Sequence, residues 1–586
     1  MKSLANLMIQ NNLRRNMKMK FKRLLTSALA VIMSVSMLAG CGGTSDSAKK
    51  EETKATSEDT QVLNLSANYF GNNFDVQDMG WRWMMAACYS GLYRNVADES
   101  GEHFELEGAE KVDVSDDGTE YTFHLRKDAK WSDGEPVTAH DYEYGWKRLL
   151  NPEYAYGNAY GLYNVVGAKE YNTGEGTADD VQAYAEDDYT FKVKLLAEDP
   201  TFISKLVSTP LYPTREDLAE AAGDDWGKDW TLNVYNGPFC MTELVEDNKM
   251  VWTKNEYYWN KDNTKLDSIN WFFVAEGSTA ATMFENDEID ILQTTGDYSK
   301  KYKEKAAAGE IKMIAADYPG TTYLGYEFKD GGKSKLMKNQ KIREALTYSI
   351  DREEMIETAF GQYKPAYGLI PPALSVGGES FRKSVEEPLL KPYEEYDGDS
   401  EKLQELFKEG LKELNMDTDL SKVTITFLSF DSTAEDATMR EYLQQTWQQK
   451  LGITVELNAM NDYTLFAAEQ EAGNYDVYQN YCACDNDDPY FLLETFYAHS
   501  LDMFAGCYNN PEFDAAIDKS KKATDDEGRL EAYKEAEQIL IDDSAFIPVY
   551  YTTKEYFLKP WVKDFRWSSY GASMEFYITY IEGRNK

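Results

Sequence analysis

The chain has 586 residues, with 102 Asp and Glu against 61 Lys and Arg, and its formal net charge is −41 at pH 7. So acidic a surface repels polyanions, which excludes nucleic acid as an expected partner. Hydrophobic residues make up 42% and charged residues 28% of the chain, and a globular protein of this length needs two or three domains.

The first 40 residues have the composition of a bacterial signal peptide. A cationic stretch through Arg23 precedes an uncharged apolar run from Leu24 to Leu38, which is shorter than the ~20 residues of a membrane-spanning helix. Leu38-Ala39-Gly40-Cys41 resembles a lipobox, which predicts cleavage after residue 40 and a diacylglyceryl anchor on Cys41. An ordinary signal peptide with an incidental cysteine is the alternative. Met17 or Met19 could serve as the start.

The predicted location is therefore extracytoplasmic, on the outer face of the cell membrane. Residues 41–61 follow the predicted cleavage point and contain no aromatic residue. Their Gly, Ser, Thr, Lys and Glu content is typical of a flexible tether.

The first ordered strand is expected at Val62–Leu65. Two later segments, Tyr121–Arg126 and Tyr189–Lys194, alternate apolar and polar residues after acidic turns, which predicts two strands of one antiparallel sheet. Thr138 and Asp141 have the spacing of a capping box, which predicts a helix ending at Leu150.

Beyond residue 339 the pattern changes to alternating helices and strands, the order typical of an α/β domain. Asp351 and Ser400 are predicted helix caps. The expected strands and helices are 423–430, 434–450, 453–457, 475–478, 528–540 and 546–551.

No catalytic or metal-binding motif is complete. The cysteines after Cys41 are odd in number and scattered, and Cys482 with Cys484 lacks a second pair at zinc-like spacing. A calcium-loop resemblance that begins at Asp113 has His124 where the bidentate Glu belongs, so a hairpin turn is the better interpretation. We expect no catalytic residue, no metal and no cofactor.

Four blocks carry a family resemblance. Residues 121–141 contain Trp131-Ser132-Asp133-Gly134, and the block is similar to the signature of the family 5 extracellular solute-binding proteins, the oligopeptide-binding lipoproteins of ABC importers. Further blocks agree in order: Asn236-Gly237-Pro238-Phe239, Ile342-Arg343-Glu344-Ala345-Leu346 and Asp488-Pro489. The resemblance covers essentially the whole chain after Cys41.

The resemblance implies an α/β, periplasmic-binding-protein-like fold with two lobes, a hinge and an additional third lobe (cluster C type). Lobe I would combine residues 62–105, 229–328 and 549–586. Residues 106–228 would form the accessory lobe packed on lobe I, and residues 329–548 would form lobe II. The ligand would lie in the cleft between the lobes.

The resemblance also implies candidate ligand contacts. Counting back from Pro489 places the family's ammonium-binding aspartate at Asp485, with Asp487 as the alternative if the register differs. The same alignment assigns peptide backbone contacts to Cys482 and Ala483.

Three further backbone contacts follow from the alignment on the opposite lobe: Gln77, Asp78 and Met79. The family usually has a tryptophan where Cys482 falls, so this segment departs from the pattern. Asp488 is more simply a helix N-cap, with Pro489 at the first helical position.

The implied function is that of a monomeric, lipid-anchored receptor that captures oligopeptides and delivers them to membrane permease subunits. Backbone pairing would give affinity without side-chain specificity. The alternatives are the same receptor class binding oligosaccharides or another small solute, a receptor that relays peptide signals, or a surface hydrolase.

Overall fold

The computed structural model describes residues 60–71, 73–77, 86–98, 101–430, 433–484, 486–497, 508–523, 525–571 and 573–584. The predicted signal peptide, Cys41, Asp78, Met79 and Asp485 lie outside these ranges. Gln61, the last residue of the predicted tether, already exchanges hydrogen bonds with Ile581.

The strands of the first half of the chain are β1 Val62–Ala67, β2 Tyr93–Asp98, β3 Gly101–Leu106, β4 Ala109–Val114, β5 Glu120–Leu125, β6 Ala183–Asp187, β7 Thr190–Lys194, β8 Phe239–Val245, β9 Lys249–Lys254 and β10 Ser268–Phe273. The remaining strands are β11 Ile291–Gln293, β12 Lys312–Tyr326, β13 Lys364–Pro365, β14 Ser375–Val376, β15 Glu379–Ser380, β16 Thr424–Phe430, β17 Thr454–Met460, β18 Val477–Ala483, β19 Phe546–Leu558, β20 Val562–Lys563, β21 Arg566–Trp567, β22 Met574–Glu575 and β23 Tyr580–Ile581.

The α-helices before residue 350 are α1 Ala139–Leu150, α2 Ala168–Asn172, α3 Phe202–Lys205, α4 Glu216–Ala222, α5 Gly277–Glu285, α6 Gly296–Ala307 and α7 Gln340–Tyr348. Those after it are α8 Arg352–Ala359, α9 Phe381–Ser384, α10 Leu390–Tyr396, α11 Ser400–Glu413, α12 Ala434–Leu451, α13 Tyr463–Ala472, α14 Tyr490–Glu494, α15 Pro511–Lys522 and α16 Asp526–Asp542. No helix in the described ranges has the length and apolarity needed to cross a membrane.

Three larger sheets organise these elements. Two four-stranded sheets have the orders β1-β10-β9-β8 and β4-β5-β7-β6, and the third has the order β11-β19-β12-β18-β16-β17, with β13 paired to β19. The predicted antiparallel pairing of β5 with β7 is confirmed, with Phe123 opposite Phe191. The predicted capping box also forms, since the Thr138 N–H donates to the Asp141 carboxylate at 2.7 Å.

The sequence explains the parallel part of the third sheet, which consists of β16, β17 and β18. Strand β16 runs parallel to β17 and β18, and helix α12 connects β16 to β17. Residues 425–429 of β16 are all buried, as expected for a parallel strand covered on both faces. Helix α12 ends before Gly452, whose φ of 73° is the left-handed conformation that a glycine adopts most easily.

Strands β12 and β19 are the long antiparallel pair of the third sheet. Their register shifts between Asp317 and Thr321 and again between Thr322 and Tyr323. Such irregularities bend and twist a strand pair locally. The first shift divides the pair into a portion that also contacts β11 and a portion that also contacts β18.

Of two predicted helix caps, the one at Ser400 is wrong by one residue and the one at Asp488 is confirmed. Helix α11 begins at Ser400, but its cap is Asp399, whose carboxylate accepts from the N–H groups of Glu401 and Lys402. Helix α14 begins at Tyr490, and Pro489 before it already has helical backbone angles (φ −55°, ψ −26°). The Asp488 carboxylate accepts the Tyr490 N–H at 3.0 Å, so Asp488 makes the predicted capping hydrogen bond with Pro489 in the first turn.

Candidate ligand-binding site

One edge of strand β18 pairs with β12, and most of the opposite edge is unpaired. The pairing with β12 extends from Val477 to Ala483, whereas β16 pairs with β18 only at Val477 and Tyr478. From Gln479 to Ala483, no strand in the described ranges pairs with the edge of β18 opposite β12. An unpaired strand edge presents backbone donors and acceptors to an added strand.

The register determines which residues of β18 point to this edge. Cys484 donates its N–H to Pro319, and Glu327 donates its N–H to Asp476, so the even-numbered residues of this segment occupy the hydrogen-bonded positions opposite β12. Because the backbone groups of an antiparallel strand alternate in direction, those of Gln479, Tyr481 and Ala483 point toward the open edge.

Of two polar groups at the edge, one is already hydrogen-bonded and one has no partner. The Tyr481 N–H already donates a hydrogen bond to the side-chain oxygen of Asn480 at 2.8 Å. The Gln479 side-chain oxygen Oε1 is buried without a hydrogen-bond partner. A buried acceptor without a partner costs free energy, so a donor from a ligand would stabilise this position.

Tyr481 supplies an aromatic surface beside the edge. Its side chain is 48% exposed, while its hydroxyl end lies over Gly320, where a β-carbon would collide with it. Burial of this end raises the pKa of Tyr481, and Tyr318 acts in the same direction. Tyr481 and Gln479 were not among the predicted contacts, although strand alternation counted from Ala483 points to both.

The predicted contacts Cys482 and Ala483 both lie on β18 but face opposite ways. Cys482 is a hydrogen-bonded partner of Thr321 within the sheet, and its thiol points at the Thr321 carbonyl. The backbone of Ala483 faces the open edge. Their predicted contact with a ligand stays a prediction, and the register favours Ala483.

Of the two candidate aspartates, only Asp487 is within the described residues. Its half-buried carboxylate accepts hydrogen bonds from the Ser375 N–H at 2.7 Å, from the Ser375 hydroxyl, and from the Tyr570 hydroxyl at 3.3 Å. Burial raises the pKa of Asp487, and the bonds from Ser375 and Tyr570 oppose that shift. Its role here is to join the β14 segment to the C-terminal segment.

Of the three contacts predicted on the opposite lobe, only Gln77 lies within the described residues. Gln77 is fully buried, and its side chain is hydrogen-bonded within the protein. Its amide donates to the Gly145 carbonyl and its oxygen accepts from Arg148. The Gln77 N–H binds the Asp75 carboxylate at 3.1 Å. These contacts anchor the chain immediately before residues 78 and 79.

The described residues offer no assembled metal site of His, Cys, Asp and Glu ligands. Cys88, Cys240, Cys482 and Cys484 form no disulfide with one another. Among the residues that the structure describes, no cluster of three His, Cys, Asp or Glu side chains could hold a metal ion.

Glu575, on β22, is a buried carboxyl in a small cavity lined also by Arg94, Glu107 and Tyr577. Burial raises its pKa to about 7 from an ordinary 4.5; Arg94 and Arg566 oppose this shift, and Glu107 and Glu105 add to it.

We therefore expect the stability of the protein to fall as pH rises from about 4.5 to 7. Between these pH values the Glu575 carboxyl keeps its proton in the folded chain but has released it in the unfolded chain. Above pH 7 the free energy of unfolding is therefore lower by about 3 kcal/mol. Glu575→Gln should reduce this loss by about 3 kcal/mol in urea unfolding measured from pH 4.5 to 8. Glu582→Gln, at an exposed position, is the control; an identical pH dependence in wild type and Glu575→Gln would contradict the assignment.

Comparison with known proteins identifies the family. Residues 104–502 match the family model of the bacterial extracellular solute-binding proteins, family 5 (middle). The chain belongs to the family 5 solute-binding proteins. The oligopeptide-binding protein OppA of Bacillus subtilis (strain 168) is 30% identical to this family 5 protein over 563 residues, which cover 93% of this chain and 96% of OppA.

Two solved structures show the same fold. The substrate-binding domain of an oligopeptide ABC transporter from Bacillus anthracis str. Ames has a TM-score of 0.75 and 28% identity, and the match covers 90% of this family 5 protein and 99% of that chain. Listeria monocytogenes OppA bound to peptide has a TM-score of 0.74 and 27% identity, over 90% and 100% of the two chains. The predicted family and the predicted two-lobed α/β binding-protein fold are confirmed. The lobe boundaries stay predictions.

Proposed function

We propose that this protein is the substrate-binding component of an ABC importer, and that it captures oligopeptides mainly through their backbone and delivers them to membrane permease subunits. The observation that carries the proposal is the open edge of β18 at Gln479, Tyr481 and Ala483. The names of its relatives, which include peptide-binding proteins of ABC transporters, support the same class of ligand.

An open strand edge suits a ligand of variable sequence. Every peptide carries the same backbone N–H and C=O groups, so strand addition gives affinity that is independent of the side chains. A sugar offers hydroxyl groups without the regular spacing of a strand, which is why the edge favours a peptide over an oligosaccharide.

The sequence motif that ends at Cys41 supports a lipid anchor in the membrane. Lipidation of Cys41 and the tether of residues 41–61 would hold a monomeric receptor at the outer face of the membrane. A tethered receptor has a higher effective concentration near its permease than a free one. Metabolic labelling with a palmitate analogue should mark the wild type but not Cys41→Ser; equal labelling of both would exclude the anchor.

Proline substitutions at two adjacent residues of β18 test the edge. Ala483→Pro removes an N–H that faces the ligand side, and proline is tolerated where a strand edge is open. We expect this variant to fold but to bind tetra-alanine about 5- to 150-fold more weakly in calorimetry, which corresponds to about 1 to 3 kcal/mol.

Cys482→Pro is the matched control, because it removes a hydrogen bond to Thr321 inside the sheet. We expect its main effect to be a lower unfolding temperature. Unchanged peptide affinity in folded Ala483→Pro would contradict peptide addition at this edge.

The class of ligand can be measured independently. Native mass spectrometry of protein purified without refolding should show a bound mass that is released as a mixture of peptides. Recovery of sugars would overturn the peptide proposal in favour of the oligosaccharide alternative. A cleaved product from a peptide or sugar mixture would support the hydrolase alternative.

A further inference from the structure

A small cavity lies between strands β2 and β22, away from strand β18. Its volume is about 30 Å³, and its walls include Arg94 and Asn95 of β2, Glu107, and Glu575 of β22. A water molecule or a small ion needs about 10 to 15 Å³ of such space. The cavity therefore has room for one small guest among charged and polar side chains.

The two buried carboxylates of this cavity differ in their partners. Glu107 accepts hydrogen bonds from the Tyr258 hydroxyl at 2.7 Å and from Arg94 at 2.9 Å, and a second Arg94 nitrogen lies 2.7 Å from its other oxygen. Glu575 is only 5% exposed, yet its carboxylate makes no hydrogen bond or ion pair within the described residues. Because Arg94 is already paired with Glu107, the charge of Glu575 has no counter-ion in direct contact.

The wider surroundings of Glu575 leave a negative charge uncompensated. Arg566 stands opposite Glu575 in the pairing of β21 with β22, but the two form no ion pair in the described structure. Arg94 and Arg566 favour the ionised carboxylate, whereas Glu107 and Glu105 repel it. Two arginines thus face three glutamates, and a single positive charge placed in the cavity would balance them.

Asn95 supplies an independent sign of a missing ligand. Its side chain is 2% exposed, and its amide nitrogen donates to the Glu102 carboxylate at 2.6 Å, which fixes the orientation of the amide. The amide oxygen Oδ1 is buried without a hydrogen-bond partner. Hard cations take carboxylate, amide and water oxygens as ligands, so Asn95 and Glu575 together offer the donor set of such an ion.

We infer that the cavity binds one alkali-metal cation between the Glu575 carboxylate and the Asn95 Oδ1 atom, with water completing its coordination. A monovalent ion matches the single excess charge. The bound ion would connect β2 to β22 and so fasten the C-terminal segment to the first part of the chain. This inference goes beyond peptide capture and does not depend on it, because neither the cavity nor its test involves strand β18.

Urea unfolding at pH 8, where the Glu575 carboxyl is ionised, tests the site without any peptide. Sodium, potassium and choline chloride at equal concentration screen exposed charges alike, but choline is too large for a cavity of about 30 Å³. We expect the unfolding equilibrium constant to be about tenfold smaller in sodium or potassium than in choline, as for a ligand present at about ten times its dissociation constant.

Two variants separate the cavity from general salt effects. Glu575→Gln keeps the shape of the side chain and removes its charge, so its stability should be the same in all three salts. Glu582→Gln, at an exposed position, should keep the tenfold difference of the wild type. Crystals soaked in rubidium chloride should show an anomalous difference peak in the cavity of the wild type and none in Glu575→Gln.

The opposite results would overturn the inference. Equal unfolding constants of the wild type in the three salts would mean that water or Arg566 compensates Glu575. The same gain in Glu575→Gln as in the wild type would place the cation elsewhere. If Glu575→Gln does not fold, the rubidium map of the wild type decides, and a cavity without an anomalous peak contradicts the site.

Discussion

Arg148→Met should lower the free energy of unfolding by about 3 to 5 kcal/mol, the cost of leaving a buried charge without its partner. The Arg148 and Asp75 side chains are only 6% and 5% exposed, and their charged groups are 2.8 Å apart. Arg148 also donates to the Gln77 side chain, and the Tyr156 hydroxyl donates to Asp75 at 2.6 Å. The guanidinium thus positions Asp75 and Gln77 directly, and Tyr156 binds the same Asp75 carboxylate.

Chemical unfolding of the wild type and variant measures this cost. Lys147→Met is the matched control, because Lys147 is the preceding residue of helix α1 and its partner, Glu143, is partly exposed. Such pairs contribute about 1 kcal/mol or less. If the two variants lose the same free energy, the network around Arg148 is not the anchor of residues 75–77 that its geometry indicates.

The local elements of this fold could be predicted because their signals lie within a few residues. The Thr138 capping box and the helix predicted at 434–450 are such cases, and both are confirmed, the helix with one further residue at its end. The error at Ser400 has a local origin too, since the adjacent Asp399 and Ser400 carry equivalent capping signals. Propensity alone cannot choose among them.

The candidate site was predictable only in part, because its geometry depends on distant segments. Strand β18 is longer than the predicted 475–478, and its open edge exists because β16 pairs with only two of its residues. The partners of Asp487, which are Ser375 and Tyr570, are 112 and 83 residues away in sequence. No local pattern contains such contacts.

We propose that Asp485 binds the α-ammonium of the ligand, so its substitution should lower the affinity for peptides. Asp485→Asn should weaken peptides with a free amino group by about 2 to 5 kcal/mol, because it removes one partner of a desolvated charge pair. An N-acetylated peptide has no ammonium, so its already lower affinity should change little. Calorimetry with tetra-alanine and N-acetyl-tetra-alanine measures both.

Asp487→Asn is the control that separates the two candidate aspartates. Its carboxylate binds Ser375 and Tyr570, so its loss should alter the affinity of free and acetylated peptides by the same factor. A selective loss for free-amino peptides in Asp487→Asn, together with equal losses in Asp485→Asn, would transfer the anchor to Asp487. Equal losses in both variants would mean that neither carboxylate binds the ammonium, and backbone pairing with β18 would then have to supply the affinity alone.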